Sequence, residues 1–195
     1  MCGRYDLSEN PAAIRAQFHV PSVPEFAAGT DIRPTQVMPI VRLDREARRR
    51  CSLARWGLVP YWAPDLKFGA KTFNARSETV AKAPSFRAAF QGRRCLVPMN
   101  AFFEWSGLPG HRIKHRIHPK LHDLFALAGL WEQWGKDSVE TYTIITCPPN
   151  DALAPIHNRM PVILDDDKYE AWLREGPLDL LRPYAEELEI VPPAR

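Results

Sequence analysis

The sequence predicts a β-rich α+β fold in a single domain. Three observations predict it. Apolar and β-branched runs of strand length recur along the 195 residues, the helical stretches between them are short, and no repeat, low-complexity tract or linker divides them. A chain of this length can bury a sizeable core as one unit, so the expected domain is 1–195. Its 45% hydrophobic and 25% charged residues are those of an ordinary globular protein.

The elements follow in order. Ser8 is placed to cap a short helix from Pro11 to Phe18, with proline in the first turn and Ile14 and Phe18 on one face. VPSVPEFAAGTDIRPTQ is rich in turn residues and reads as an extended loop. Val37 to Leu43 and Cys51 to Trp56 read as strands joined by DREARRR, a solvated hairpin tip or a nucleic-acid groove. WGLVPYWAPD suits a rigid aromatic wall, and FNARSETVAKAPSFRAAF passes from an extended piece into a helix. Strands are expected over Arg93 to Pro98, Phe102 to Trp105, Leu124 to Trp131, Thr141 to Cys147, Met160 to Leu164 and Leu188 to Val191. Pro148 to Ala154 reads as a short helix. A second helix, Asp165 to Arg174, opens on carboxylates and places Tyr169, Trp172 and Leu173 together.

Composition narrows the class of function. No apolar run approaches the roughly 18 residues of a membrane span, and the start lacks a secretory core, so a cytoplasmic protein is expected. Cys2, Cys51, Cys95 and Cys147 are far apart, which supports neither a zinc ribbon nor a disulfide framework. Charge is uneven. Residues 165–195 carry nine acidic and four basic side chains, against 22 basic and 14 acidic before them, so a polyanionic partner suits the main body. His111, His115, His118 and His122 would share a helix face and suggest a metal, but Pro109, Gly110 and Pro119 argue against that helix. A basic loop or plain surface is expected there, with no metal and no cofactor.

The first five residues, MCGRY, hold the chemistry. Removal of Met1 would leave Cys2 with an α-amine and a thiol on neighbouring atoms. With reference pKa values of about 7.7–8.0 and 8.5, both are partly deprotonated near neutrality. Such a pair condenses with an aldehyde to a Schiff base and then closes a thiazolidine ring. Alternatively, Cys2 is simply an early residue in a frayed end.

MCGRY, WGLVPYW, FNARSET, RRCLVPMNAFFEW, FALAGLWE, TYTIITCPPND and IHNRMPVIL occur in the order seen in the SRAP family, and by them the chain resembles the SOS-response-associated peptidases, abasic-site processing proteins. The likeness runs from Cys2 to about Leu164, leaving 165–195 as an acidic, partly helical end. It implies an SRAP-type fold that senses abasic sites in single-stranded DNA. The lesion would be shielded as a covalent thiazolidine cross-link through Cys2, with an accompanying lyase activity, during the DNA damage (SOS) response. By position, the resemblance assigns Cys2 as nucleophile, His157 to sugar ring opening and proton transfer, Glu104 as general acid/base, and Asn74 to hydrogen bonds near Cys2. Arg4, Arg76 and Arg159 match backbone-holding positions. By their chemistry the aromatics of WGLVPYW and Trp105 can stack on bases or wedge the duplex edge, and Met38 and Pro39 follow the loop where the family presents a wedge.

Each residue also has an ordinary reading: a turn Asn74, a loop His157, a solvent-facing Glu104, surface arginines and core aromatics. Arg33 and Ala101 depart from the family pattern, and Ala101 bears on the placing of Glu104. Two other functions stay open: a cysteine peptidase acting through Cys2, Glu104 and His157, and a non-catalytic single-strand-binding module. The expected protein is monomeric, free of membranes, and nucleoid-associated when on DNA.

Overall fold

The computed structural model describes residues 2–108 and 110–192. Met1, whose removal the chemistry invokes, lies outside the described residues, as do Pro109 and 193–195. In chain order the strands are β1 (Tyr5–Leu7), β2 (Gly29–Ile32), β3 (Val37–Leu43), β4 (Arg49–Trp56), β5 (Asn74–Arg76), β6 (Arg94–Met99) and β7 (Ala101–Ser106). They continue as β8 (Ile113–Pro119), β9 (Phe125–Trp134), β10 (Val139–Cys147), β11 (Met160–Pro161), β12 (Ile163–Leu164) and β13 (Leu188–Val191). The helices α1 (Pro11–Phe18), α2 (Arg87–Gly92) and α3 (Tyr169–Arg174) are short and peripheral. The β-rich single-domain expectation stands.

Five strands close on themselves in the order β10-β4-β3-β6-β9, with β9 pairing back to β10. Closure leaves no edge to guard. Within this barrel β4 and β10 run parallel and the other neighbours antiparallel. A second sheet, β13-β8-β7-β1-β2, joins it through Tyr5: its ring lies 5.1 Å from that of Trp56, and its hydroxyl is 2.8 Å from the Tyr142 hydroxyl. Trp56, Tyr142 and Tyr5 are all fully buried.

One end of the barrel splays. β4 pairs with β10 only as far as Trp56 and Tyr142, after which β5 takes its place alongside Ile144 to Thr146. On the other flank β9 leaves β10 after Gly129 and Ile144. The 160–164 segment fills that gap, and Val162 donates to Ile145 and accepts from Ala128. The chain after Trp56 turns sharply, and Gly57 permits it: at φ +121° a side-chain Cβ would lie 2.4 Å from the Gly69 carbonyl oxygen.

Several elements differ from expectation. The cap of α1 is Asn10, whose Oδ1 accepts from the amides of Ala12 and Ala13, while the Ser8 amide donates to Asn100. β2 lies within the expected 20–36 loop, because pairing with β1 satisfies a backbone whose side chains gave no strand signal. Residues 151–156 form successive turns in place of a helix. The Met160 to Leu164 strand is split between β11 and β12, which serve different partners. The middle of the histidine segment is β8, which pairs with β7 and β13, and strand alternation sends His115 and His118 to opposite faces, with His111 and His122 outside the strand. His115 meets Ser106 Oγ at 2.7 Å, and His118 lies 3.9 Å from Glu189.

Candidate functional site

The splayed barrel end and the second sheet meet at the chain start. Cys2 lies three residues before the β1 residue that ties the two sheets together, and it is fully buried. The Arg4 carbonyl already accepts from the amide of Phe103 on β7, so the approach to β1 is fixed against that strand. β5 supplies Asn74, whose Nδ2 donates to the Cys2 carbonyl at 2.8 Å. Its Oδ1 is buried and has no hydrogen-bond partner among the described residues. Asn74 and Arg76, two apart on a strand, share a face. Asn74 is half-buried, and Arg76 is exposed.

β7 supplies Glu104, only 3% exposed and on the face opposite Phe103 and Trp105. The alanine at 101 does not turn it outward. Its Oε2 lies 3.9 Å from Nε2 of His157, which follows the turns of 151–156 and precedes β11. The amide of Arg159 donates to His157 Nδ1 at 3.0 Å.

These surroundings set the proton affinities. Burial, seconded by the charge of Glu104, pushes the Cys2 thiol well above its ordinary range, so the resting form is the thiol. Burial also raises the Glu104 carboxyl, against the pull of the His157 ring. A carboxyl raised in this way is better suited to exchange a proton than one at its ordinary value. Beneath Cys2, the buried Tyr5 and Tyr142 hydroxyls are likewise raised, chiefly by burial. No signal in the sequence singled out this tyrosine pair, because one member is on β1 and the other on β10.

The arginines divide. Arg4 pairs with Asp31 at 3.0 Å and lies over the Trp105 ring at 5.5 Å. Lys114 sits 3.8 Å from the Phe103 ring centre and 6.0 Å from that of Trp105, so the outer face of β7 is aromatic with cations over it. Arg33 also pairs with Asp31. Arg159, with a side chain 12% exposed, is held by Glu78 and by the Thr146 carbonyl. Arg76 has no ion pair among the described residues. The sequence reading missed the carboxylates: Asp31 sits in a stretch read as loop, whereas Glu78 lies in the same FNARSET block as Asn74 and Arg76.

Pro39 is a correction. It is buried within β3, opposite Leu53 of β4, and offers a DNA strand no surface. The exposed residues of that approach are Arg33, Thr35, Gln36 and Val37.

A closed barrel joined to a second sheet buries Cys2 beside Asn74, with Glu104 and His157 close to each other on the neighbouring elements. The chain belongs to the SRAP family, SOS response associated peptidase, whose pattern it matches over residues 1–193. It is 38% identical to the abasic site processing protein YoqW of Bacillus subtilis over 97% of this chain and 90% of that one. It is 31% identical to the abasic site processing protein HMCES of Gallus gallus, over 79% of this chain and 53% of that longer one. A crystal structure of a protein from Bordetella bronchiseptica superposes over the whole of both chains with a TM-score of 0.85 at 26% identity. Among the described residues no helix is long and apolar enough to cross a membrane, and no group of three or more His, Cys, Asp or Glu is arranged to hold a metal.

Proposed function

We propose that this chain processes abasic sites in DNA by capturing the open-chain sugar of a single-stranded lesion as a thiazolidine cross-link on Cys2, once Met1 has been removed. One observation carries the reading: Asn74 bonds the Cys2 carbonyl, the charge of Glu104 bears on the Cys2 thiol and His157 lies 3.9 Å from Glu104, and each offers a function that aldehyde capture needs. The family membership and the relatives named as abasic site processing proteins agree with it.

The step balances as follows. His157 passes a proton at the ring oxygen of the closed sugar, opening it to the aldehyde. The free α-amine of Cys2 adds to the aldehyde carbon, and the carbinolamine loses water to give an imine. Glu104 takes the thiol proton, the sulfur adds to the imine carbon, and the ring nitrogen takes up a proton. One water is released, and no oxidant or cofactor is needed. Asn74 holds the Cys2 carbonyl and keeps Oδ1 as an acceptor for the amine or a sugar hydroxyl. A thiol pushed up by burial needs this proton acceptor at hand, since it supplies little thiolate by itself.

Affinity comes from elsewhere. Arg76, Arg4 and Arg159 are assigned to phosphates, and Trp105 to a base, contacts that hold a strand without reading its sequence. Arg4 and Arg159 meet carboxylates, so phosphate contact there is made beside Asp31 and Glu78 with those pairs kept.

The test is intact-mass analysis after mixing the Met1-free protein with an oligonucleotide bearing one abasic site. The expected product has the summed mass less one water. It is absent from Cys2→Ala and from a chain extended ahead of Cys2, while Cys2→Ala binds the oligonucleotide within a few-fold of the parent. An adduct that persists in Cys2→Ala, or cleavage of a peptide in place of an adduct, overturns the reading.

A further inference from the structure

Glu78 has no part in the scheme above, yet it stands at the head of a short chain of contacts that ends on the imidazole. Its Oε2 accepts from Arg159 Nη2 at 2.9 Å, while Oε1 pairs with Nη1. The same Nη2 donates to the Thr146 carbonyl at 2.6 Å, so the guanidinium is tied both to the turn after β5 and to β10. The Arg159 backbone then donates its N–H to His157 Nδ1 at 3.0 Å. The same Nδ1 lies 3.2 Å from the Arg159 carbonyl oxygen, so the 157–159 turn offers this nitrogen both a donor and an acceptor, and the set of the turn decides which tautomer and aim the ring adopts. Nε2 is the nitrogen 3.9 Å from Glu104 Oε2.

We infer that Glu78 is a positioning residue for the capture reaction: by locking the Arg159 side chain it fixes the 157–159 turn, and with it the tautomer and aim of His157. The inference rests on the function proposed above. An ion pair with one half-exposed partner usually contributes little. Here the fork is two-pronged, the arginine is nearly buried and a carbonyl holds it from a third side, which makes the geometry specific. Arg159 holds the Glu78 carboxyl down at about 2, so the lock stays charged throughout the working range. Ring orientation matters because a misplacement on the order of 1 Å can cost about a hundredfold in rate.

The experiment uses Glu78→Gln in the Met1-free protein, with Glu78→Ala at the same half-exposed position as a second variant. Three quantities are measured: the limiting cross-linking rate at saturating abasic oligonucleotide, non-covalent affinity in a Cys2→Ala background, and the ring nitrogen shifts of His157 by NMR. The limiting rate should fall about tenfold. Affinity should be unchanged or tighter, because a negative charge beside the strand is gone. The shifts should report one predominant tautomer in the parent and a changed balance of Nδ1–H and Nε2–H in the variants. An unchanged rate overturns the inference, and so does a slower rate with an unaltered tautomer. If the parent forms no adduct, the function fails, but the tautomer still reports whether Glu78 orients the ring.

Discussion

Replacing Glu104 by Gln keeps the shape and one acceptor oxygen but leaves nothing that can take a proton. The site is 3% exposed and 3.9 Å from the His157 ring, and burial holds the carboxyl above its ordinary 4.5. A positioned acid/base group typically contributes 10²–10⁴-fold, so single-turnover cross-linking should slow by that factor, about 3–5 kcal/mol of barrier. The assay is the rate of adduct formation with protein in excess, followed on denaturing gels from mildly acidic to mildly basic pH. The parent rate should climb as pH rises through the raised carboxyl value, and Glu104→Gln should lack that limb. Stability gives an independent sign. The native state binds the Glu104 proton more tightly than the unfolded chain, so the parent loses stability as pH rises from 4.5 through the raised value. The amide escapes this loss, and the variant should therefore be the more stable protein at neutral pH, with the gap closing as pH falls towards 4.5. A variant that cross-links at the parent rate with the same pH limb would refute the assignment.

Three further outcomes can be checked. Glu140→Ala strands Arg42, whose side chain is 8% exposed and shares Ser52 with Glu140 in a buried network; a loss of about 3–5 kcal/mol should lower the calorimetric midpoint by roughly 10 °C. All four cysteines are buried, and burial lifts the Cys51 and Cys147 thiols to about 12; a thiol reagent should therefore label the native Met1-bearing chain far more slowly than the unfolded one, and rapid labelling of Cys2 would contradict its placement. Arg76 is exposed, so Arg76→Ala should weaken oligonucleotide binding and lower the salt slope by about 1 with an unmoved melting midpoint, and an unchanged salt slope would remove Arg76 from the phosphate contacts.

Residue type was enough to find α1, β3 and β13 with their limits: α1 buries Ile14 and Phe18 at helical spacing, and β3 and β13 are short runs rich in apolar, β-branched residues. It failed at β2 and β8. GTDI and IKHRIHP owe their extended form to neighbours far along the chain, and β8 keeps its polar residues half-buried while its apolar Ile113 is exposed. The sequence puts Pro39 inside the β3 strand and also after a DNA-facing loop, and only its place opposite Leu53 in the β3–β4 pairing shows it buried.

For the site, the sequence by itself supplied the reactive group we propose, since an amine and a thiol on one residue, once Met1 is removed, need no fold to be recognised as an aldehyde trap. It also determined the family blocks that carry Asn74, Glu104 and His157. Only the tertiary structure decided that these stand together, that the thiol rests protonated in the interior, and that Arg4 and Arg159 meet carboxylates while Arg76 stands open to solvent. The physical reason is that proton affinity and ion pairing depend on distance and burial, and both are fixed here by a barrel end that splays to admit β5 and β11.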